Sequence, residues 1–397
     1  MFNKKGASFG TIAAVFGSIL IALGVAWLIA QNWHQMPAAL KIIILLSATI
    51  GSYATGTMLR VKSYPGIGKA LLVLGGLFYT LSIFLIAQIF ATSTSLQGTA
   101  WLMLMAWVGV IASSYIFDSS ASLVVGLIEF VIWLNVQFFA ISNWEFSSRT
   151  PQFGVLAFWF LATGIIFFGI GLLHRSNKHK FGNLYQIWTS FYFLAFSYIL
   201  SFQVLLPYLW AKQAQFSRDM IFLIFLVIIA LIFLVAGIIR ALGSGNIDKK
   251  EIIGVFATII FLIIVILSTT ILSGVDYRYS WWYGQSSQVP LSLWFIWIFA
   301  NVVFLGIILA VIGYGTWQKS PNIINMGIFF FSLDIITRYI GFLVDFWGYT
   351  SLALIFITGG ILLLGGGFLI ERWRRGLVSQ AKLQVQASVS KYRRIKK

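Results

Sequence analysis

Long apolar segments alternate with short polar connections along nearly all of the 397-residue chain. A helix needs about 20 mostly apolar residues to cross the hydrocarbon core of a bilayer. On that criterion the pattern predicts an all-α, polytopic transmembrane helical bundle of about twelve spans. The predicted spans lie at 9–30, 42–59, 70–91, 100–117, 121–141, 153–173, 186–210, 220–239, 252–273, 291–313, 322–344 and 350–370. The connections are too short for a soluble domain, so residues 1–376 are predicted to form a single transmembrane domain.

The composition indicates that lipid is the solvent for much of the chain. Hydrophobic residues make up 60% of the sequence and charged residues only 9%, whereas soluble domains have about 25% charged residues. A net charge of +17 would suggest nucleic acid as the partner of a soluble protein. Here the basic residues lie in the connections and in the C-terminal tail, so we interpret the charge as a determinant of topology and expect no nucleic-acid binding.

The distribution of basic residues predicts the orientation of the spans. One side of the predicted bundle receives five of the 27 lysines and arginines, and Arg338 lies inside a span, which leaves 21 for the other side. Basic residues accumulate on the cytoplasmic side of membrane proteins. Both termini are therefore predicted to be cytoplasmic, in the plasma or inner membrane. The basic tail at 377–397 is expected to contact anionic lipids of the inner leaflet.

Several kinds of chemistry are not expected from this sequence. The chain has no cysteine and only three histidines, so thiolate metal sites, thiol nucleophiles and a histidine-rich metal centre are excluded. The sequence also has no phosphate-binding P-loop and no zinc-protease motif. We therefore expect no catalytic residues, no metal and no cofactor, and we do not expect an enzyme.

Three ionisable residues lie inside predicted spans, where each costs about 2.5–3.5 kcal/mol on insertion scales. Asp334 and Arg338 are four residues apart, so they share one face of a helix and can form an ion pair. The pair has two interpretations: it locks helices together, or it belongs to a substrate or ion site. Glu129 lies near the centre of its span, where it is a neutral hydrogen-bonded acid, a partner of Arg338 or a proton-coupling group.

Polar and aromatic residues collect at the predicted outer ends of two spans. Gln31, Asn32 and Trp33 follow the first span, and Gln88 lies at the end of the third. Aromatic belts normally anchor helices at the membrane interface. The alternative is that these four residues form the mouth of a site for an amphipathic or sugar-like ligand.

Glycines recur in the first predicted span at Gly10, Gly17 and Gly24. Small residues on one stripe let helices approach closely in lipid. The spacing therefore predicts a packing contact at this stripe, with no bearing on function.

Two parts of the chain resemble a family of predicted membrane proteins from bacteria and archaea that is catalogued as domain of unknown function 2157. The N-terminal resemblance, over about 15–130, rests on the segment 24–33, on Met36-Pro37, and on the segments 68–72 and 86–90. The C-terminal resemblance, over about 320–376, rests on 325–327, 329–331, 337–339 and 371–375. The chain departs from the family at His34 and at Ile340-Gly341, where members often carry acids. The resemblance implies a polytopic membrane protein and brings no activity with it.

Two classes of function stay open. The first is a transporter-like or flippase-like protein for a small or lipidic solute, with Glu129, Asp334 and Arg338 near the pathway. The second is a membrane scaffold or envelope accessory factor that transports nothing. A water-accessible cavity lined by Glu129 or Arg338 would favour transport.

Overall fold

The computed structural model describes residues 35–62, 64–90, 95–141, 153–202, 218–245 and 291–347. It also describes isolated helical positions at 16–17, 19–21, 23–24, 27, 31, 252–253, 256, 259–260, 263, 372 and 375–376. The predicted span at 350–370 and the tail at 377–397 fall outside these residues, as does most of the spans at 9–30 and 252–273.

Within the described ranges every regular element is an α-helix, and no strand occurs there. The helices are α1 Ala38–Val61, α2 Pro65–Phe90, α3 Leu96–Ile116, α4 Ser120–Ile141, α5 Phe153–Ser176, α6 Gly182–Leu200, α7 Arg218–Ser244, α8 Leu291–Trp317 and α9 Pro321–Trp347. Seven of them, α1 to α5, α7 and α8, are long and apolar enough to cross a membrane. The chain divides into two compact units, Met1–Pro151 and Gln152–Lys397.

Three tight turns between successive helices have the same backbone form. Each contains one non-glycine residue with positive φ, namely Asp118 at 44°, Lys178 at 54° and Lys319 at 54°. The amide after each of these residues donates to a carbonyl five residues earlier, for example Ser119 N to Ser114 O at 2.9 Å. This Schellman arrangement satisfies carbonyls that the end of a helix leaves without partners. It lets consecutive helices reverse direction within a few residues.

In the N-terminal unit, α1 and α2 approach closely where two glycines face each other. A Cβ added at Gly56 would lie 3.0 Å from the carbonyl oxygen of Gly68, so only glycine fits this crossing without a shift. The Arg60 guanidinium, at the end of α1, donates to the carbonyls of Phe117 and Asp118 at the end of α3. The C-terminal ends of α1 and α3 therefore lie at the same face of this unit.

In the C-terminal unit, α5 and α7 cross at Gly169 and Gly237. A Cβ added at Gly237 would lie 2.6 Å from the Gly169 carbonyl oxygen. Near the ends of the two helices, Arg240 Nη2 donates to Asn177 Oδ1 at 3.3 Å. These contacts make α5 and α7 parallel, and the tight turn that follows α5 makes α6 antiparallel to both.

Helix α6 ends at Leu200, before the C-terminal end predicted for the span at 186–210. Residues 203–210 of that span lie outside the described residues. The Ser201 amide donates to the carbonyls of both Ser197 and Tyr198, and Ser201 Oγ donates to the Tyr198 carbonyl at 2.7 Å. This change to shorter-range bonds is typical of a helix terminus. The apolar run from Val204 to Leu206 hid the end from the sequence pattern.

Helix α6 is not among the seven apolar helices, although most of its side chains are buried within the unit. Its buried positions include Gln186, Thr189, Ser190 and Ser197 as well as fully buried Tyr192. A helix surrounded by other helices does not need the apolar surface that lipid requires. Its low hydropathy is therefore consistent with an interior position.

The predicted close approach at the first glycine stripe is not observed at its described positions. Gly17 and Gly24 have no atom within 4 Å of an added Cβ. Among the described residues, glycines of two helices face each other instead between α1 and α2 and between α5 and α7. A seven-residue spacing shows that a stripe exists, but it does not identify which stripes have a partner.

Candidate functional site

Glu129 lies in the interior of the N-terminal unit, on α4. The residue is 7% exposed, and its Oε1 accepts a hydrogen bond from Thr80 Oγ1 of α2 at 2.7 Å. Its other oxygen, Oε2, is buried and has no hydrogen-bond partner among the described residues. An unpartnered carboxyl oxygen in a medium of low dielectric is costly. A proton on the carboxyl group, or a hydrogen-bond donor of a ligand, would satisfy Oε2 at this position.

An aromatic group packs between α3 and α4, where Phe130 follows Glu129 in sequence and Trp133 lies one helical turn after it. The rings of Trp107 and Trp133 stack at 6.3 Å, and Phe130 lies 4.9 Å from Trp107. Trp107 Nε1 is also buried without a partner among the described residues. The carboxyl of Glu129 and this indole N–H are thus two buried polar groups of the same unit with unused hydrogen-bonding capacity.

Hydroxyl groups connect the helices of this unit in pairs. Thr49 Oγ1 and Ser82 Oγ lie 3.3 Å apart between α1 and α2, and Tyr53 donates to Ser113 at 3.1 Å between α1 and α3. Such bonds contribute about 0.6 kcal/mol each on average in membrane helices. With the Thr80–Glu129 contact, each of the four helices takes part in at least one polar contact to another.

The Asp334–Arg338 ion pair that the spacing predicts is present on α9. Arg338 Nε lies 3.1 Å from Asp334 Oδ1. The pair has a third member, because Arg338 Nη2 also donates to the carbonyl oxygen of Ser201 at 2.8 Å and to its hydroxyl at 2.5 Å. Ser201 follows the last residue of α6 and is fully buried. Arg338 therefore joins α9 to the C-terminal end of α6.

The Ser201 carbonyl also accepts from two residues of α8. Trp297 Nε1 donates to it at 3.0 Å and Asn301 Nδ2 at 3.2 Å. The Arg338 guanidinium lies 5.0 Å from the ring centre of Phe202 and 6.0 Å from that of Trp297, within the range of cation–π attraction. One carbonyl at the end of α6 thus collects donors from α8 and α9.

This cluster can act as a helix cap. The C-terminal end of a helix carries a partial negative charge of about half an electron, which a guanidinium balances. Asp334 in turn neutralises the guanidinium. The sequence did not identify Ser201, Trp297 or Asn301 as members, although Asn301 is a polar residue inside an otherwise apolar predicted span and could have been noticed on that ground.

The residues of the predicted outer mouth are only partly described. Gln88 is exposed near the end of α2, and Gln31 is helical and exposed. Asn32 and Trp33 lie outside the described residues. The mouth therefore stays a prediction, and so does the suggested pairing of Glu129 with Arg338.

Two cavities in the described parts of the chain lie away from these groups. One lies between α5 and α7, and the other is lined by residues of α1 together with Phe117. Neither is lined by Glu129 or Arg338. Among the described residues, no three histidine or acidic side chains are grouped so that they could hold a metal ion.

Comparison with known proteins gives one match, to a protein family and over part of the chain. No curated protein and no solved structure matches the chain significantly. The resemblance at 15–130 is confirmed over most of its length, whereas the resemblance at 320–376 lies outside the matched residues. Residues 2–123 match the family described as "Predicted membrane protein (DUF2157)".

Proposed function

We propose that the chain is a multi-pass protein of the cell membrane that moves a small or lipidic solute, with Glu129 as its proton- or solute-binding group. The observation that carries this proposal is the buried carboxyl oxygen of Glu129, which has no hydrogen-bond partner in the part of the chain that the structure describes. Ionisable groups inside membrane helices are typical of pathways and proton relays. A bound proton or a donor group of the solute would satisfy the oxygen in turn.

The proposal includes about twelve spans with both termini in the cytoplasm. The seven long apolar helices support a polytopic architecture. In the C-terminal unit, the C-terminal ends of α5 and α7 lie at one face, as expected of two spans that run in the same direction. The basic residues at the ends of these two helices and in the turn after α5 support a cytoplasmic position for that face: Arg175, Lys178, Lys180 and Arg240.

A Glu129→Gln variant tests the proposal, because glutamine keeps the shape and the Thr80 contact but binds no exchangeable carboxyl proton. We expect its thermal unfolding in detergent to equal or exceed that of the wild type, since no charge then has to be buried. We also expect it to fail to complement a deletion strain. Gln137→Leu is the matched control, since Gln137 is a buried polar residue on the same helix. Full complementation by Glu129→Gln would contradict a proton- or solute-binding role.

The second candidate is a scaffold that transports nothing, and the Ser201 cluster favours it. There the guanidinium of Arg338 contacts Asp334, Ser201 and two rings, and in this way it connects three helices. A residue used for such contacts stabilises a fixed arrangement. If Glu129→Gln complements fully and only destabilised variants of the cluster lose function, the scaffold is the better account.

A further inference from the structure

The groove between the C-terminal ends of α5 and α7 takes no part in the function proposed above. Its volume is about 630 Å³. Leu173 of α5 and Ala236 and Ile239 of α7 line its length, and Arg240 and Ser244 lie at its end. A groove that is apolar along its length and has a guanidinium at its end is complementary to an amphipathic ligand.

The floor of the groove results from the helix crossing below it. Gly169 and Gly237 allow the backbones of α5 and α7 to approach closely. The groove begins beside this crossing, at Ala236, and extends to Ser244. Among the described residues, none has an atom within 4 Å of a Cβ added at Gly243, which lies on the groove wall. The space is therefore concave and accessible from the side of the unit.

The charge at the end of the groove is strongly positive. Arg240 lies there, and the same end of the unit carries Arg175 in the last turn of α5 and Lys178 and Lys180 in the turn that follows. Residues 153–202 contain no Asp or Glu. The ends of α5 and α7 contribute about half a negative charge each, which four cations exceed. The segment after α7 adds Asp248, Lys249, Lys250 and Glu251, whose formal charges cancel.

Arg240 is positioned to hold an anion across the mouth. It is exposed, and its Nη2 reaches Asn177 Oδ1 of the opposite wall at 3.3 Å. A guanidinium presents further donors in a planar fork that suits the oxygens of a phosphate.

We propose that this groove binds an anionic phospholipid, with the phosphate at Arg240 and one acyl chain along Leu173, Ala236 and Ile239. Basic pockets between membrane helices select anionic headgroups by this combination of charge and apolar wall. A soluble phosphate would use the charge and leave the apolar length of the groove unused. A lipid uses both.

Thermal unfolding of the full chain in detergent, titrated with phosphatidylglycerol, phosphatidylcholine or glycerol phosphate, tests the proposal. We expect phosphatidylglycerol to raise the unfolding temperature and the other two to leave it unchanged. Arg240→Gln should weaken the apparent affinity for phosphatidylglycerol about tenfold, the scale of one charge-assisted hydrogen bond. Arg240→Lys should retain more of the affinity than Arg240→Gln. Arg218→Gln, at the opposite end of the same helix, is the matched control and should bind like the wild type.

A second variant tests the apolar wall and does not depend on the folding of Arg240→Gln. A Cβ at Gly243 meets no atom of the described residues within 4 Å, so Gly243→Leu should fill the groove and reduce phosphatidylglycerol binding while the arginine stays in place. Gly306→Leu on α8, which also has open space at its Cβ, is its control. If glycerol phosphate raised the unfolding temperature as much as phosphatidylglycerol does, the site would bind free anions and the phospholipid proposal would be wrong. If Gly243→Leu bound phosphatidylglycerol as the wild type does, the lipid would not lie in this groove.

Discussion

At the scale of single residues, the carbonyl of Ser201 explains why Arg338 lies inside a span. The sequence predicted the contact with Asp334, because two residues four apart on a helix are neighbours. It could not predict the contact with Ser201, because the two residues are 137 positions apart and nothing local in the sequence connects them. Glu129 illustrates the same limit: its cost in a span was evident, whereas its partner Thr80 depends on which helices pack together.

We expect Arg338→Ala to lower the free energy of unfolding by about 2–3 kcal/mol. Breaking a fully buried pair costs about 3–5 kcal/mol, and the Arg338 side chain is 29% exposed, so its loss costs less. Adding Asp334→Ala should recover only part of the loss, because the orphaned carboxylate is removed but the end of α6 still lacks one donor. Thermal unfolding in detergent measures both effects.

Arg218→Ala is a suitable control for the Arg338 variants, since it removes an exposed arginine from α7. It should change the unfolding free energy by less than about 0.5 kcal/mol. Full recovery in the Asp334→Ala, Arg338→Ala double variant would show that the contact with Ser201 contributes nothing.

At the scale of helices, the sequence predicted the existence of elements better than their ends and contacts. Predicted 42–59 is observed as Ala38–Val61 and predicted 121–141 as Ser120–Ile141, because an apolar core extends by a turn into polar flanks. The end of α6 was missed by ten residues, since the apolar run continues past the helix. Which glycines pack was not readable either, because a close approach depends on the partner helix.

The α5–α7 crossing gives a prediction at this scale. Gly237→Ala places a methyl group 2.6 Å from the Gly169 carbonyl oxygen, and backbone cannot move as a flexible side chain does. We expect a net loss of about 1–2 kcal/mol in the unfolding free energy, after a gain in helix propensity of about 1 kcal/mol. Gly306→Ala has open space and should stabilise the protein by up to that propensity gain. Equal behaviour of the two variants would contradict a tight crossing.

At the scale of the whole molecule, orientation in the membrane is the property that the sequence predicts most directly. Helix packing is the weakest test of that orientation. Basic residues are counted without knowledge of any contact, whereas packing gives only relative directions within each unit. The tight turns reverse the direction of successive helices, through positive φ at Asp118, Lys178 and Lys319. Which face is cytoplasmic follows from charge.

Cysteine labelling tests the orientation in a chain that naturally has no cysteine. Lys180 is exposed in the turn after α5, so Lys180→Cys should react with a membrane-impermeant maleimide only after the cells are permeabilised. Ser147→Cys, in the connection before α5, should react in intact cells. Labelling of Lys180→Cys in intact cells would reverse the orientation.

The Ser201 carbonyl also has a consequence for the order in which the protein is made. Its three donors lie 96, 100 and 137 residues later in the chain. At about 5–20 residues per second, the ribosome adds Arg338 roughly 7–27 s after Ser201. During that interval the C-terminal end of α6 is stabilised by its own last turn and by packing against α5. The more apolar α5 allows the less apolar α6 to enter the membrane with it as a helical hairpin. Helix α6 is therefore synthesised early and capped only when α8 and α9 follow, so a later part of the chain completes a structure begun near its middle.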